Sequence, residues 1–363
     1  MNLITNKATA ALLLFLISFF LYSPSLRNDF VWDDIEVIQK SYHSFKASRI
    51  NTILLPEAKQ NKTQRYYRPI IFVSMVTDRG LWGINPFGFH LSNLLLNSIS
   101  IMLLYFLLLL IFGRFSVEGK ESISFLAALL FAVYPMHVES VSWIAGRTDI
   151  LCGIFFILAL ILHIESYRTI WLLILTALSF SLSLLSKEVA LSFPVVVISF
   201  DALTRRIKNP YNILRYTVYL SVALLYLYLR GRAFINPIQV THENIRQIAE
   251  GEYYFLNLIE TLKVLSSSLY FYFSKLVFPF DFNAFIMSVP AESYYLIFSI
   301  ATISLLFIIA VISIIQGKGL IAFCIIWILA TLAPSAIVSV TNLATAPLAE
   351  RYLYIPSAGY CMI

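Results

Sequence analysis

Apolar residues in this chain come in unbroken blocks rather than alternating with polar ones. Runs near Ala8–Leu21, Leu94–Phe112, Ile123–Tyr134, Ile150–His163, Ile170–Leu185, Val189–Leu203, Tyr216–Leu229, Tyr295–Ile315 and Leu320–Leu332, and a last run reaching Ile363, are hydrophobic on all sides. A helix that is apolar all round lies inside protein or lipid. At about 20 residues per bilayer crossing, the pattern predicts an all-α polytopic membrane protein with about ten transmembrane helices. The first run follows Lys7 and lacks a small-x-small cleavage site, so it reads as a retained span. The runs before and after the 15-residue insert PMHVESVSWIAGRTD are short, so their helices must extend into the insert or tilt.

Between the runs, charge sets the topology. The segment TRRIKNPYNILR carries Arg205, Arg206, Lys208 and Arg215 without an acid and belongs on the cytoplasmic face by the positive-inside rule. Counting back puts Lys187-Glu188, the insert after Pro135 and the long first loop, 26–87, on the opposite, outer face. That loop holds Asp29, Asp33, Asp34, Glu36, Arg65, Arg68, Asp78 and Arg79, too much charge for lipid. The stretch LSSSLYFYFSKLVFPF in the outer loop 231–292 fits the charge rule only if it is re-entrant or interfacial, so it is expected not to cross. A last outer loop is expected over Pro334–Leu348.

Composition agrees. Of 363 residues, 59% are hydrophobic, 15% aromatic and 13% charged, where a soluble chain has about a quarter charged. Mean hydropathy is +0.80 and the pI about 9.1. The net charge of +6 marks cytoplasmic loops rather than a nucleic-acid partner. Cys152, Cys324 and Cys361 are too dispersed for a disulfide framework or a CxxC metal site. No GxGxxG, Walker A, HExxH or Ser-His-Asp pattern is evident. The sequon at 61–63 is a triplet expected by chance.

Three groups could carry chemistry. The tandem acids Asp33 and Asp34 in NDFVWDDIEVI follow the first span, where partial desolvation by Phe30, Val31 and Trp32 would raise a carboxylate's basicity; the plain alternative is a solvated loop acid. The insert brings His137, Glu139, Trp143, Arg147 and Asp149 to a membrane boundary, where ionisable groups must be paired or face water; helix capping and a Glu139–Arg147 pair are the plain alternative. His137 and Glu139 lack zinc spacing. Arg68, Arg147, Lys187 and Arg351 share the outer face, as a leaving lipid phosphate would require; each could instead snorkel or pair with a neighbouring glutamate. His43, His90, His163 and His242 are scattered and receive no role.

The blocks FVWDDIEVI, YYRPIIFVSMVTDRGLWGINPFGFHLSNLLLN, FAVYPMHVESVSWIAGRTDIL, LLSKEVALSFPVVV and AERYLYIPSAGY, in this order, resemble the membrane domain of the transmembrane and tetratricopeptide-repeat-containing O-mannosyltransferases, in the GT-C glycosyltransferase superfamily. The resemblance runs from residue 30 to the C-terminus and is faintest over 231–292, in FPFDFNAF. It implies one GT-C-like transmembrane domain over 1–363 without tetratricopeptide repeats, hence a truncated or repeat-free member. It implies a polyprenyl- or dolichyl-phosphate-linked sugar donor, mannose or a related hexose, and inverting transfer to a protein Ser/Thr hydroxyl or a glycan on the periplasmic or lumenal face. Asp33 becomes the expected general base and Asp34 its orienting partner. Arg68, Arg147, Lys187 and Arg351 become donor-phosphate ligands, and His137, Glu139, Trp143, Asp149, Glu188, Glu350 and Tyr352 line the sugar and acceptor pocket. No cofactor is called for; a divalent metal is compatible but not indicated. A bacterial inner membrane is favoured, the endoplasmic reticulum if the host is eukaryotic. The alternatives are transfer of aminoarabinose or another sugar to a lipid or cell-wall glycan, and a secondary transporter or flippase; the latter would carry its charges mid-span.

Overall fold

The computed structural model describes residues 6–35, 38, 67–166, 169–233, 258–283, 286, 289, 293–340 and 346–363. The sequon at 61–63, Glu36, Arg65, and much of the two long outer loops lie outside the described residues. The chain is all-α, and no strand is formed among the described residues. Its helices are α1 (Lys7–Tyr22), α2 (Pro69–Trp82), α3 (Pro86–Arg114), α4 (Lys120–Ala132), α5 (Val138–Ser142), α6 (Arg147–Glu165), α7 (Ile170–Leu184), α8 (Phe193–Leu203), α9 (Tyr211–Ala233), α10 (Leu258–Val277), α11 (Ser293–Ile315), α12 (Gly319–Val340) and α13 (Tyr354–Cys361). Short 3-10 turns at Ser23–Arg27, Pro135–His137, Glu188–Ser192 and Glu350–Leu353 join them.

Local sequence sets the helix starts. The Asn6 and Asn85 side chains accept from the backbone N–H groups of Ala8 (3.0 Å) and Phe87 (3.1 Å), capping α1 and α3, and Pro86 occupies the first turn of α3, where a missing N–H costs nothing. A helix stands on each apolar run. Among the described residues, six segments are long and apolar enough to cross a membrane: 7–27, 86–114, 147–165, 211–232, 294–315 and 319–340. A seventh results if Lys120–Ala132 and Pro135–Ser142, bent by 52° at their break, form one broken span. The chain is thus a multi-pass integral membrane protein; α7 and α8 are shorter. Where the sequence predicts a loop from Pro334, α12 instead runs through that proline to Val340. Proline is tolerated inside membrane helices, where neighbouring helices and local backbone adjustment accommodate the freed backbone groups.

The core forms around α3, α4 and α6, with Leu104, Leu108, Phe131, Phe156 and Leu160 fully or almost fully buried against Phe193, Phe323, Trp327 and Tyr354. Gly153 allows the closest contact there: a β-carbon would stand 2.8 Å from the Tyr354 ring. The α10 helix is different. Ser266 O accepts from Ser299 in the early turns of α11 (2.6 Å), Ser268 meets Ser339 in the last turn of α12 (2.6 Å), and Lys275 reaches Glu350 (3.2 Å). All three partners lie at one end of the bundle. The same end collects the 23–35 segment, the start of α2, the 134–147 insert, the α7–α8 tip and the 346–354 turn. The charge rule makes it the outer end.

Candidate active site

The tandem acids sit on a tight turn. Trp32 takes a left-handed conformation (φ 49°), unusual and costly for a bulky residue, and the Asp34 N–H donates to the Val31 carbonyl (3.0 Å). On one side, Phe30 packs edge-on against Phe89 (5.7 Å) in a cluster with Met75 and Ile144. On the other, Trp32 lies edge-on to Trp143 (5.6 Å). The turn sends its two carboxylates apart. Asp34 is buried and accepts from the N–H groups of Ala145 (3.0 Å) and Val31 (3.3 Å). Burial pushes its pKa up to about 6, against those backbone donors and with a smaller contribution from the Asp33 charge. Asp33 is exposed. Among the described residues neither acid forms an ion pair.

The segment that receives Asp34 is itself pinned from α3. Asn93 Nδ2 donates to the carbonyls of Val141 and Trp143, each at 3.1 Å, and its Oδ1 accepts from Arg147 Nε at 2.5 Å. Arg147 also donates to Phe89 O (2.8 Å) and pairs with Asp78 (2.5 Å), whose other oxygen accepts from Ser92 (2.7 Å). Gly146 closes the turn: a β-carbon would lie 2.7 to 3.0 Å from the carbonyl oxygens of Glu139, Ser140 and Trp143. Arg147 is 1% exposed, so its guanidinium holds the turn together and does not face the open side. The Glu139–Arg147 pair considered from sequence does not form.

The other cations make a row of cross-helix pairs. Arg351 pairs with Glu139, which also accepts from the Arg351 N–H (2.9 Å), and its guanidinium lies over Trp143 (5.0 Å) and Tyr352 (5.2 Å). Lys187 pairs with Asp149 and sits over the Tyr352 ring (4.3 Å). Glu188 lies between Arg68 (2.8 Å) and Arg230 (3.9 Å). Glu350 pairs with Lys275. In none of these pairs are the partners sequence neighbours, although Lys187-Glu188 and Glu350-Arg351 are adjacent. The Arg68 and Arg351 side chains keep 19% and 18% of their surface exposed.

His137 is set behind this row. Its Nε2 meets Ser357 Oγ (2.8 Å), and its ring packs between Phe131 and Tyr354, in a polar column continued by Tyr354 OH to Asn97 (2.8 Å) and Asn97 to Ser18 (3.0 Å). Among the described residues no group of three or more His, Cys, Asp or Glu is placed to hold a metal ion. Sequence reasoning missed Asn93, Arg230 and Lys275 and gave Asp78 no role. The available signal was a lone polar residue inside an apolar run, as in LSNLLLN and YFSKLV.

No family model matches the chain, and no solved structure matches it. Among curated proteins, the chain is similar to the protein O-mannosyl-transferase TMTC4 of Homo sapiens, at 29% identity over 213 residues, covering 50% of this chain and 28% of that protein. It is similar to protein O-mannosyl-transferase TMTC2 of Mus musculus at 29% over 230 residues, 56% of this chain and 26% of that one. The likeness to protein O-mannosyl-transferase F38B6.6 of Caenorhabditis elegans is 26% over 369 residues and covers 97% of this chain and 50% of that protein. The chain thus spans half or less of the length of these relatives. These relatives carry the name of the family that the five sequence blocks resemble.

Proposed function

We propose that the chain is a membrane glycosyltransferase that moves mannose or a related hexose from a polyprenyl- or dolichyl-phosphate donor to a protein Ser/Thr hydroxyl. The observation that carries this reading is the contrast at the outer end: the acids of the cation row are each matched by a cation, while among the described residues the tandem acids Asp33 and Asp34 form no ion pair. A carboxylate held clear of cations keeps its basicity, and a row of cations beside it is suited to a leaving phosphate. The names of the relatives support the mannosyl class and a protein acceptor over transfer of aminoarabinose to a lipid or cell-wall glycan.

In this mechanism Asp33, on the exposed side of the turn, takes the proton of the acceptor hydroxyl. Asp34, fixed by two backbone donors, sets the turn's direction. The hydroxyl oxygen attacks the anomeric carbon as its bond to the phosphate oxygen breaks, the electron pair leaves on the lipid phosphate, and the sugar configuration inverts. The phosphate gains charge as the bond breaks, and Arg351 and Arg68 face that charge, each aligned by its acid; Lys187, 3% exposed, paired with Asp149 and covered by the Tyr352 ring, acts behind them by holding that pair. Arg147, closed in by Asp78, Asn93 and Phe89, keeps the 141–147 turn in place instead of binding phosphate. Trp143, Tyr352, Glu139, Asp149, Glu188 and Glu350 line the sugar side, with His137 behind them, and the apolar grooves between helices take the isoprenoid tail.

The test is transfer of labelled sugar from polyprenyl-phosphate-mannose to a Ser/Thr peptide by purified protein in lipid. Turnover that Asp33→Asn removes while the melting temperature holds supports the reading. Equal turnover by wild type and both Asp33→Asn and Asp34→Asn would sink it.

A further inference from the structure

Lys275 belongs to α10, in the stretch where the family resemblance is faintest, yet its ammonium group is buried and fully engaged. Its hydrogens go to the carbonyls of Phe280 and Asp281 and to Glu350 Oε1 (3.2 Å), which uses all three donors of a lysine. The chain folds around it to make this arrangement: Asp281 takes a left-handed conformation (φ 56°), and Asn283 N–H adds a bond to the same Glu350 oxygen (3.0 Å). From the opposite side, Tyr134 OH donates to the carbonyls of Lys275 (3.1 Å) and Leu276 (2.8 Å), closing the C-terminal end of α10. Tyr272, one turn earlier, packs against Tyr352 (6.5 Å). Glu350 and Tyr352 flank Arg351 on its 3-10 turn, so α10 grips both neighbours of the cation while the guanidinium itself pairs with Glu139 and keeps part of its surface exposed.

We infer that Lys275 is a positioning residue for the donor side of the site: by holding Glu350 it fixes the turn that presents Arg351 to the lipid phosphate. The inference rests on the assignment of Arg351 under the proposed function. Without Lys275, Glu350, 5% exposed, keeps only the Asn283 N–H and must move toward water, since a buried charge without a counter-ion is costly. Arg351 follows it.

The experiment measures kcat and KM for polyprenyl-phosphate-mannose, and binding of a fluorescent polyprenyl phosphate, with the protein in lipid nanodiscs. The variants are Lys275→Ala, Glu350→Gln, Arg351→Ala, the double Lys275→Ala/Arg351→Ala, and Lys263→Ala, a lysine about three turns away on the same helix. Expected are a rise of about tenfold in donor KM and Kd for Lys275→Ala and for Glu350→Gln, with kcat within about twofold and Lys263→Ala unchanged. In the double variant the loss should equal that of Arg351→Ala alone, because coupled residues are not additive. A merely structural lysine would lower kcat with the folded fraction and leave KM where it was, which would overturn the inference, as would full additivity. If Arg351→Ala itself leaves donor binding intact, the phosphate assignment fails and the inference falls with it, a pattern distinct from failure of Lys275 alone.

Discussion

Two polar clusters are built at opposite ends of this bundle, and only one has the form of a site. At the inner end, Asp201 of α8 accepts from Tyr216 OH (2.8 Å) and pairs with His163 (3.2 Å) and Arg215 (3.9 Å), while His163 Nδ1 meets Tyr219 OH (2.9 Å). Its members His163, Asp201 and Arg215 come from helices α6, α8 and α9, and their side chains are at most 3% exposed. At the outer end the charges come from turns as well as helices, the Arg68–Glu188 and Arg351–Glu139 pairs keep 10 to 19% of their side-chain surface exposed, and among the described residues the tandem acids Asp33 and Asp34 form no ion pair. Buried charge is therefore no mark of function by itself. The inner cluster spans three helices and is sealed, which is what holding them in register requires; the outer one is left open to a ligand.

Substitutions can break this comparison in graded ways. The largest expected effect is Asp33→Asn, a loss of about 10²- to 10⁴-fold in transfer rate, the range of a general base, with the melting temperature unchanged. Asp201→Ala should do the reverse, costing about 3–5 kcal/mol of stability as a broken buried pair, read by thermal melting, with kcat/KM per folded molecule preserved. Arg351→Ala should weaken donor binding by about 10- to 100-fold, the worth of a charge-assisted hydrogen bond or two, measured by polyprenyl-phosphate titration. Gly146→Ala should cost about 1–3 kcal/mol by overpacking and lower the transfer rate, since the added carbon meets backbone carbonyls of the turn that receives Asp34. The smallest effect is one of pH. The folded protein binds the Asp34 proton more tightly than the unfolded chain does, so that share of stability is present at low pH and is lost as pH rises through about 6. Melting temperatures of wild type and Asp34→Asn, compared between pH 4 and 7, should show the steeper decline in wild type, since Glu139, also pushed up by burial, adds a decline common to both.

The helices were legible because lipid demands long apolar runs, and Asp33-Asp34 because a tandem acid beside a span is conspicuous. The pairing was not legible. Glu139 pairs with Arg351, 212 positions away, instead of with Arg147 in its own insert, and Lys187 turns from its neighbour Glu188 to Asp149. Adjacent residues on extended or 3-10 segments point in different directions, so their partners are chosen by helix packing, which local sequence does not encode. Lys275 was hidden for the same reason: its counter-ion Glu350 lies 75 positions away and reaches it only in the packed bundle. The early loop boundary at Pro334 came from treating proline as a helix breaker in a medium where helices continue through it.

The length of α7 has a consequence for the bilayer. Its 15 residues give about 22 Å of helix at 1.5 Å per residue, short of a hydrocarbon layer about 30 Å thick. The membrane must thin around the α7–α8 hairpin or let water down to its tip. Either response lowers the headgroup plane locally, and on the proposed function it would bring the phosphate of an outer-leaflet polyprenyl lipid nearer to Arg68 without lifting the lipid's tail from the hydrocarbon.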